Sequence, residues 1–529
     1  MLTVYSPLSR LPEREYIYRV VLGEFLGLEY NVVYGDGKQI ELVMIEATAA
    51  SDISKTSKTS ETSDISGASG ASGASGASNA SNASNASNAS DASGAAGSGR
   101  SSDTRTVTPA SAKRLRMPDV LLQTPDALWL KEASLPRLPL DRFRPPGSGE
   151  AEPPLPVIYG RKGGKGEYVE ADVEGFYLGI DVFGSSLFML TRYEELVIRE
   201  RDPIDRFPAT ASLAYRESFL DRPIVNEYVE VLWRFMKRLW PGLTRKARTP
   251  AVRITHDVDF PFYIYGRSRL RVFRDIVMDV LRRRDLESGR KKARMLYRGR
   301  ESLAGDPYNT FSWLMDQSER AGIRSAFYFI TEKTKPGIDG NYAIEDPRIQ
   351  QLLREIHARG HEIGLHPSYN TYLNPARIRR QFQKLVEIAR ANGIRQDRWG
   401  GRQHYLRWQA PDTWQFWEDA GLQYDSTLSY ADRAGFRCGV CYEFPVFNLK
   451  TRKALALRER PLIVMDQTIL HPEYMGLDHE QAYDAIRGYY RECMKYSGDF
   501  TMLWHNSQLL KTSERAVYSK CLELIAASP

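Results

Sequence analysis

An apolar run, Ala251, Val252 and Ile254, stops abruptly in Thr255-His256-Asp257-Val258-Asp259. Two carboxylates two residues apart repel each other when both are ionised, so the pair is costly unless a cation, a proton or a cluster of donors lies between them. A catalytic or metal-binding site meets that need; so does a strand end with two solvated aspartates. Three further stretches close in the same way. His366 follows Glu362-Ile363-Gly364-Leu365, Arg402 and His404 follow Trp399-Gly400-Gly401, and His505 follows Thr501-Met502-Leu503-Trp504. A lone histidine is more often a satisfied structural group, and a lone arginine can simply pair a surface acid. Taken together, a carboxylate pair, imidazoles and a guanidinium at separate strand ends are the groups that hydrolytic chemistry needs.

Groups so far apart in sequence meet only if parallel strands bring their carboxyl ends to one place, and the C-terminal half has the rhythm for that. Asn309-Thr310 opens a helix that ends near Gly322, and an apolar strand follows from Ala326 to Ile330. Asp346-Pro347 reads as an N-cap with proline at the first helical position, the helix stopping at Gly360. Asn374-Pro375 to Gly393 repeats the device, as does Pro411 to Gly421. Helices alternating with short apolar runs argue for parallel β/α units, and roughly 280 residues is the size of a β/α barrel, whose catalytic groups collect where strands end. All eight histidines lie after residue 250, which places proton transfer or metal ligation in this half.

The chain of 529 residues, 42% hydrophobic, is long enough for two or three globular domains. Met1 to Val20 lacks a continuous apolar run, so neither a secretory signal nor a membrane span is expected, and the expected location is cytoplasmic. Four cysteines, Cys438, Cys441, Cys493 and Cys521, suit a reducing compartment. Cys438-Gly439-Val440-Cys441 has zinc or redox spacing, but without a second pair ordinary thiols are expected. The formal charge of +7 is concentrated: Arg267 to Arg300 holds thirteen Arg/Lys against four Asp/Glu, a local +9, which leaves 7 − 9 = −2 for the rest. Leu270, Phe273, Ile276, Val277, Val280 and Leu281 recur there near helical spacing, so the segment reads as one basic amphipathic helix. That is a solvated face or a docking surface for phosphate or acidic polymer; nucleic acid is the less favoured partner.

Residues 1–245 read as a separate α+β domain. A helix is expected over Pro12 to Leu28, with strands over Tyr30 to Val33, Ile40 to Ile45 and Asp119 to Leu122, and a helix over Tyr228 to Leu239. Residues 48–102, rich in Ser, Ala, Gly and Asn, cannot bury enough apolar area to offset their ordering entropy and are expected to form a flexible, disordered insertion. No paired acids, histidine or phosphate loop marks a site between Met117 and Leu243.

Thr255-His256-Asp257-Val258-Asp259, Gly360-His361-Glu362-Ile363-Gly364-Leu365-His366, Arg402 and Leu503-Trp504-His505 resemble the successive motifs of the polysaccharide deacetylase family, the NodB homology domain of carbohydrate esterase family four. The N-terminal half, with Arg192-Tyr193-Glu194-Glu195, resembles an uncharacterised domain that precedes some bacterial deacetylase-like modules. The resemblance implies, for residues 246–529, a distorted (β/α) barrel that hydrolyses an N-acetyl bond on a carbohydrate or related small amide. It assigns Asp257 as general base, His505 as general acid, Arg402 as the group orienting the base, and Asp259 and His366 as ligands of a divalent metal, zinc foremost. The family's second metal histidine falls at Asn370 here, and an amide oxygen is a poorer zinc ligand than imidazole. Three readings stay open: a metal completed by Asn370 or by His404, a metal-independent amidohydrolase, or a catalytically degenerate carbohydrate binder. Asp425, Asp466 and Trp408 are candidate substrate-binding residues; Tyr405, Trp414 and Trp417 could line a sugar cleft or sit in the core. The oligomeric state is not legible.

Overall fold

The computed structural model of the chain describes residues 1–44, 112–150, 152–298 and 303–527; the repeat-rich insertion expected over 48–102 lies outside them. Among the described residues the first half holds eight strands: β1 (Leu2–Pro7), β2 (Tyr30–Gly35), β3 (Gln39–Met44), β4 (Arg114–Pro118), β5 (Asp141–Phe143), β6 (Leu155–Val157), β7 (Val169–Asp172) and β8 (Gly175–Leu178). Six form a mixed sheet in the order β2-β1-β3-β4-β8-β7, and β5 pairs with β6. The strand expected over Asp119 to Leu122 falls one segment earlier, as β4; Asp119 instead leaves the sheet to meet the buried Arg14 at 2.5 Å. The N-terminal helix runs Leu11–Tyr18 and continues to Phe25 as a π-helix.

The second half holds β9 (Val252–Val258), β10 (Ala326–Phe329), β11 (Glu362–Leu365), β12 (Gly400–Gly401), β13 (Tyr424–Asp425), β14 (Phe444–Asn448), β15 (Lys453–Glu459), β16 (Val464–Met465) and β17 (Phe500–Leu503). They form one sheet, β14-β15-β13-β12-β11-β10-β9-β17-β16, parallel except at β14. Among the described residues no pairing joins β14 to β16, so the barrel expected from the sequence is an open ring. The sheet curls all the same. β9 and β12 lie three positions apart, about 14 Å on a flat sheet, yet Arg402 after β12 reaches Asp257 in β9 at 2.8 Å.

The crossover helices form where caps and apolar spacing agree. Asp346 accepts from the Arg348 amide at 2.8 Å with Pro347 in the first turn, and Ile349, Leu352, Leu353 and Ile356 face inward. Asn374 caps Pro375–Ala391 in the same way. The basic segment is two helices rather than one, Arg269–Leu281 and Leu286–Arg298, because Asp285 turns the chain and caps the second by accepting from the Ser288 amide at 3.0 Å.

A separate N-terminal domain was the expectation; residues 1–44 and 113–529 instead form one compact unit with a hydrophobic cluster running from Leu2 to Ile525. Tyr16 donates to the Pro445 carbonyl, Arg452 pairs with Glu13 at 2.8 Å, and the Val225 amide donates to the Gly439 carbonyl at 2.7 Å. All four cysteines are buried free thiols, as the ordinary reading expects. No helix among the described residues is long and apolar enough to cross a membrane.

Candidate active site

Side chains alternate along β9, which sorts its polar residues between two faces. His256 points into the layer under the helices: its Nδ1–H donates to the Trp504 carbonyl at 2.7 Å, its ring lies 4.6 Å from Phe327, and burial pushes its pKa down to about 3. It is a neutral structural group. Asp257 and Asp259 take the other side, at the carboxyl end of the sheet.

Arg402 is buried and fully engaged. Its guanidinium donates to Asp257 Oδ1 at 2.8 Å, to the Ser426 carbonyl at 2.8 Å and to Ser426 Oγ at 3.0 Å. It can reach that position because β12 lies tight against β11: a Cβ on Gly401 would come within 1.8 Å of the Leu365 carbonyl oxygen. The planar fork holds the Asp257 carboxylate by one oxygen and leaves the other toward His366, whose Nε2 is 3.8 Å away.

Asp259, His366 and His404 offer one ligand atom each, all within 4.8 Å of one another. Nε2 of His366 is 3.2 Å and Nε2 of His404 3.4 Å from Asp259 Oδ1. Both rings are oriented from behind. His366 Nδ1 donates to the Arg402 carbonyl at 2.6 Å, and His404 Nδ1 lies 3.0 Å from Asp339 Oδ1. In a neutral ring that leaves each Nε2 as a lone pair aimed at one point, the arrangement by which proteins fix metal-binding imidazoles. Asp259 Oδ1 has no hydrogen-bond donor. Burial alone would raise the Asp259 carboxyl, but His404, His366 and His505 hold it well below the ordinary carboxylate range. Burial alone would lower the His366 imidazole; Asp257 and Asp259 overturn that and raise it. Two imidazoles and one carboxylate are a donor set that could hold a divalent ion with positions left open.

His505 Nδ1 donates to Asp466 Oδ1 at 2.8 Å, and its amide donates to Asp466 Oδ2 at 2.8 Å. Burial pulls the imidazole down, but Asp466 first, then Asp259 and Asp257, push it up to about 9, so it carries a proton at neutral pH. A cleft of about 120 Å³ opens over Asp257, Asp259, His366, His404 and His505, walled by Tyr405, Tyr474, Met465 and Arg206. A larger hollow of about 980 Å³ beside the helix Ile224–Leu239 is lined by no histidine, and four of its charged side chains are engaged with one another, Arg222 with Glu227 and Arg245 with Glu230, each at 2.5 Å.

Several expectations are corrected by this geometry. Asn370 is exposed, its amide donating to the Thr334 carbonyl at 3.2 Å, so it stands outside the ligand cluster and His404 occupies the third place. Trp408 is buried 4.8 Å from Trp414 and joins Trp414 and Trp417 in the core; of that aromatic group Tyr405 lines the cleft. Asp425 is buried behind Arg402, accepting from the Thr427 amide at 3.0 Å, and burial pushes it up to about 7; it does not reach the cleft. Asp466 holds His505 rather than substrate. Sequence reasoning missed Asp339, Arg206 and Tyr474. Asp339 sits in the loop after β10, ten residues beyond the strand's last residue, so no strand-end signal marked it; Arg206 comes from the first half, and no local pattern connects it to the site.

Residues 119–241 match a family of unknown function (DUF7033). No curated protein sequence matches the chain. Among solved structures, the chain is similar to a probable polysaccharide deacetylase from Pseudomonas aeruginosa at 14% identity, over 59% of this chain and 90% of that one, with a TM-score of 0.31. A chitin deacetylase from Colletotrichum lindemuthianum matches at 12% identity over 53% and 84%, TM-score 0.26. A mutant of a CE4 family pseudoenzyme matches at 10% identity over 52% and 62%, TM-score 0.27. At TM-scores this low, the chemistry has to be read from this chain's own residues.

Proposed function

We propose that this chain is a hydrolase of a carbon–nitrogen amide bond, acting on an N-acetylated carbohydrate or a related small amide and using a divalent metal. The observation that carries the reading is the convergence of Asp257, Asp259, His366, His404 and His505, from four strand ends, on one cleft. Asp259, His366 and His404 would hold the ion, zinc by the chemistry of the donors. When bound, it supplies Lewis acidity to the amide carbonyl and acidity to water.

The residues of the chain supply the proton transfers. Asp257, oriented by Arg402, takes a proton from the attacking water as its oxygen bonds to the carbonyl carbon. His505, held by Asp466 with Nε2 3.8 Å from Asp259 Oδ2, donates its proton to the leaving nitrogen as the carbon–nitrogen bond breaks. The products are a carboxylic acid and an amine. The cleft is smaller than pockets that enclose a whole drug-sized ligand, so it suits an acylamino group with the rest of the substrate outside.

The test is release of acetate and free amine from N-acetylglucosamine oligomers by the metal-loaded protein and by Asp257→Asn. Release by the parent with loss of at least ~10³-fold in the variant supports the reading. Binding of the oligomers with no release by the parent would overturn it and mark a binding module.

A further inference from the structure

The crossover from β9 to β10 carries the basic excess of the chain, and the hairpin Arg269–Leu281 and Leu286–Arg298 presents it in an unusual form. Its first helix has two apolar faces. Val272 and Ile276 turn toward the fold, Val272 fully buried. Leu270 and Leu281 fall on the opposite side of the helix and Phe273 on the flank beside them, and the three stay 82%, 74% and 62% exposed. In the second helix Leu286 and Tyr297 are 67% and 93% exposed. Isolated apolar residues at a surface need no explanation, but five on one hairpin do.

Arginines surround this stripe. Arg269, Arg271, Arg274, Arg282, Arg290 and Arg294 are exposed, and among the described residues none has an acidic partner. Charges that do pair are those that build the hairpin: Lys292 with the buried Asp279 at 2.5 Å, and Lys291 with Glu287 at 3.0 Å. The hairpin is rooted at the carboxyl end of the sheet. It leaves β9 just after Asp259, and the Thr512 amide, in the segment after His505, donates to Glu287 at 3.0 Å.

We propose that this hairpin is a docking surface for an anionic phospholipid bilayer, lying in the headgroup layer with Leu270, Phe273 and Leu281 inserted and the arginines on lipid phosphates. A bilayer offers an anionic plane with an apolar layer directly beneath, which uses both features of the surface at once. Nucleic acid would use the arginines and leave the leucines facing water. A second copy of the chain would cover the leucines but bring two strongly basic surfaces together. The mode is peripheral, since no described helix is long and apolar enough to span. It goes beyond the hydrolase reading and stands without it: no substituted residue below touches the cleft.

The experiment is flotation of the full chain with vesicles of phosphatidylcholine alone and of an equimolar mixture with phosphatidylglycerol, at physiological salt. The parent is expected to float with the anionic vesicles only. Arg269→Gln/Arg271→Gln/Arg274→Gln is expected to bind roughly 100-fold more weakly, from about fivefold per arginine. Phe273→Ser/Leu281→Ser is expected to lose at least roughly tenfold. Both variants should keep the parent's circular dichroism and unfolding midpoint, as the altered side chains are exposed. Absence of parent binding, equal binding to neutral vesicles, or binding lost with the arginines yet indifferent to Phe273→Ser/Leu281→Ser would overturn the proposal, the last in favour of a purely ionic partner such as nucleic acid.

Discussion

His505 and Asp466 show how much of the site's chemistry is set by one contact. The imidazole is buried, which alone favours its neutral form, yet the Asp466 carboxylate at 2.8 Å pushes its pKa up to about 9. A raised histidine pKa means that the pair stabilises the fold fully below the ordinary imidazole value and loses that contribution as pH rises through about 9. Activity that needs the protonated ring falls over the same upper range. Asp466→Asn keeps an acceptor for Nδ1 and removes the charge, so the alkaline limb of kcat/KM is expected to move to lower pH with the acid limb in place. A pH–rate profile checks this; an unmoved alkaline limb would separate His505 from the proton donor. The same scale decides the third ligand. His404→Ala is expected to lose bound zinc, whereas Asn370→Ala, at an exposed site, should retain it and change stability by no more than ~0.5 kcal/mol. Metal analysis of the two purified variants reads the difference.

At the scale of elements, the site depends on strands too short to announce themselves. β12, β13 and β16 have two residues each, which is a single period of the alternation by which a strand is recognised and too short for a pattern to repeat. The crossover helices were legible because Asp346-Pro347 and Asn374-Pro375 mark their starts chemically, and Asp257, Asp259, His366, Arg402 and His505 were legible because each ends an apolar run. Trp408 was not: a tryptophan beside a turn reads alike in a cleft wall and in a core, and only its packing on Trp414 decides. Asn370 follows its histidine at the right spacing, but the turn after Pro367 carries it out to solvent. The two-residue strands also make a prediction. Gly401 is the one place where β12 can lie against the Leu365 carbonyl, so Gly401→Ala is expected to push Arg402 and His404 away from β9. The expected cost is about 3 kcal/mol of stability together with weakened zinc binding. Denaturant unfolding and metal titration of that variant measure the two effects; native values of both would mean that the strand tolerates a Cβ there.

Over the whole molecule, the two sheets are joined by a polar core built on Arg192-Tyr193-Glu194-Glu195, a motif that stood out in the sequence without revealing this role. Arg192 donates to Glu195 at 2.8 Å and to Glu194 at 2.7 Å, and Arg437, from the second half, pairs with Glu195 at 2.6 Å, all four side chains essentially inaccessible. Burial would raise the Glu195 carboxyl, yet Arg437 and Arg192 hold it below its ordinary value, whereas burial wins at Glu194 and raises it despite Arg192. Removing one charge from such a set leaves the others buried and under-paired, at a cost of about 3–5 kcal/mol. The same join reaches the cleft: Arg407 donates to the Ile204 carbonyl at 2.9 Å, and Arg206 of the first half lines the site. Glu195→Ala is therefore expected to lower the stability of both halves by that amount within a single transition. Intrinsic fluorescence from the nine tryptophans, which lie in both halves, reports side-chain packing, and far-ultraviolet circular dichroism reports the backbone; coincident midpoints are expected for parent and variant alike. Two separated transitions in the parent would show that the first half is an appendage. Coincidence would mean that the cleft and the N-terminal sheet fold as one object, so that a fragment beginning at residue 246 lacks both Glu195, the carboxylate partner of Arg437, and the wall that Arg206 provides.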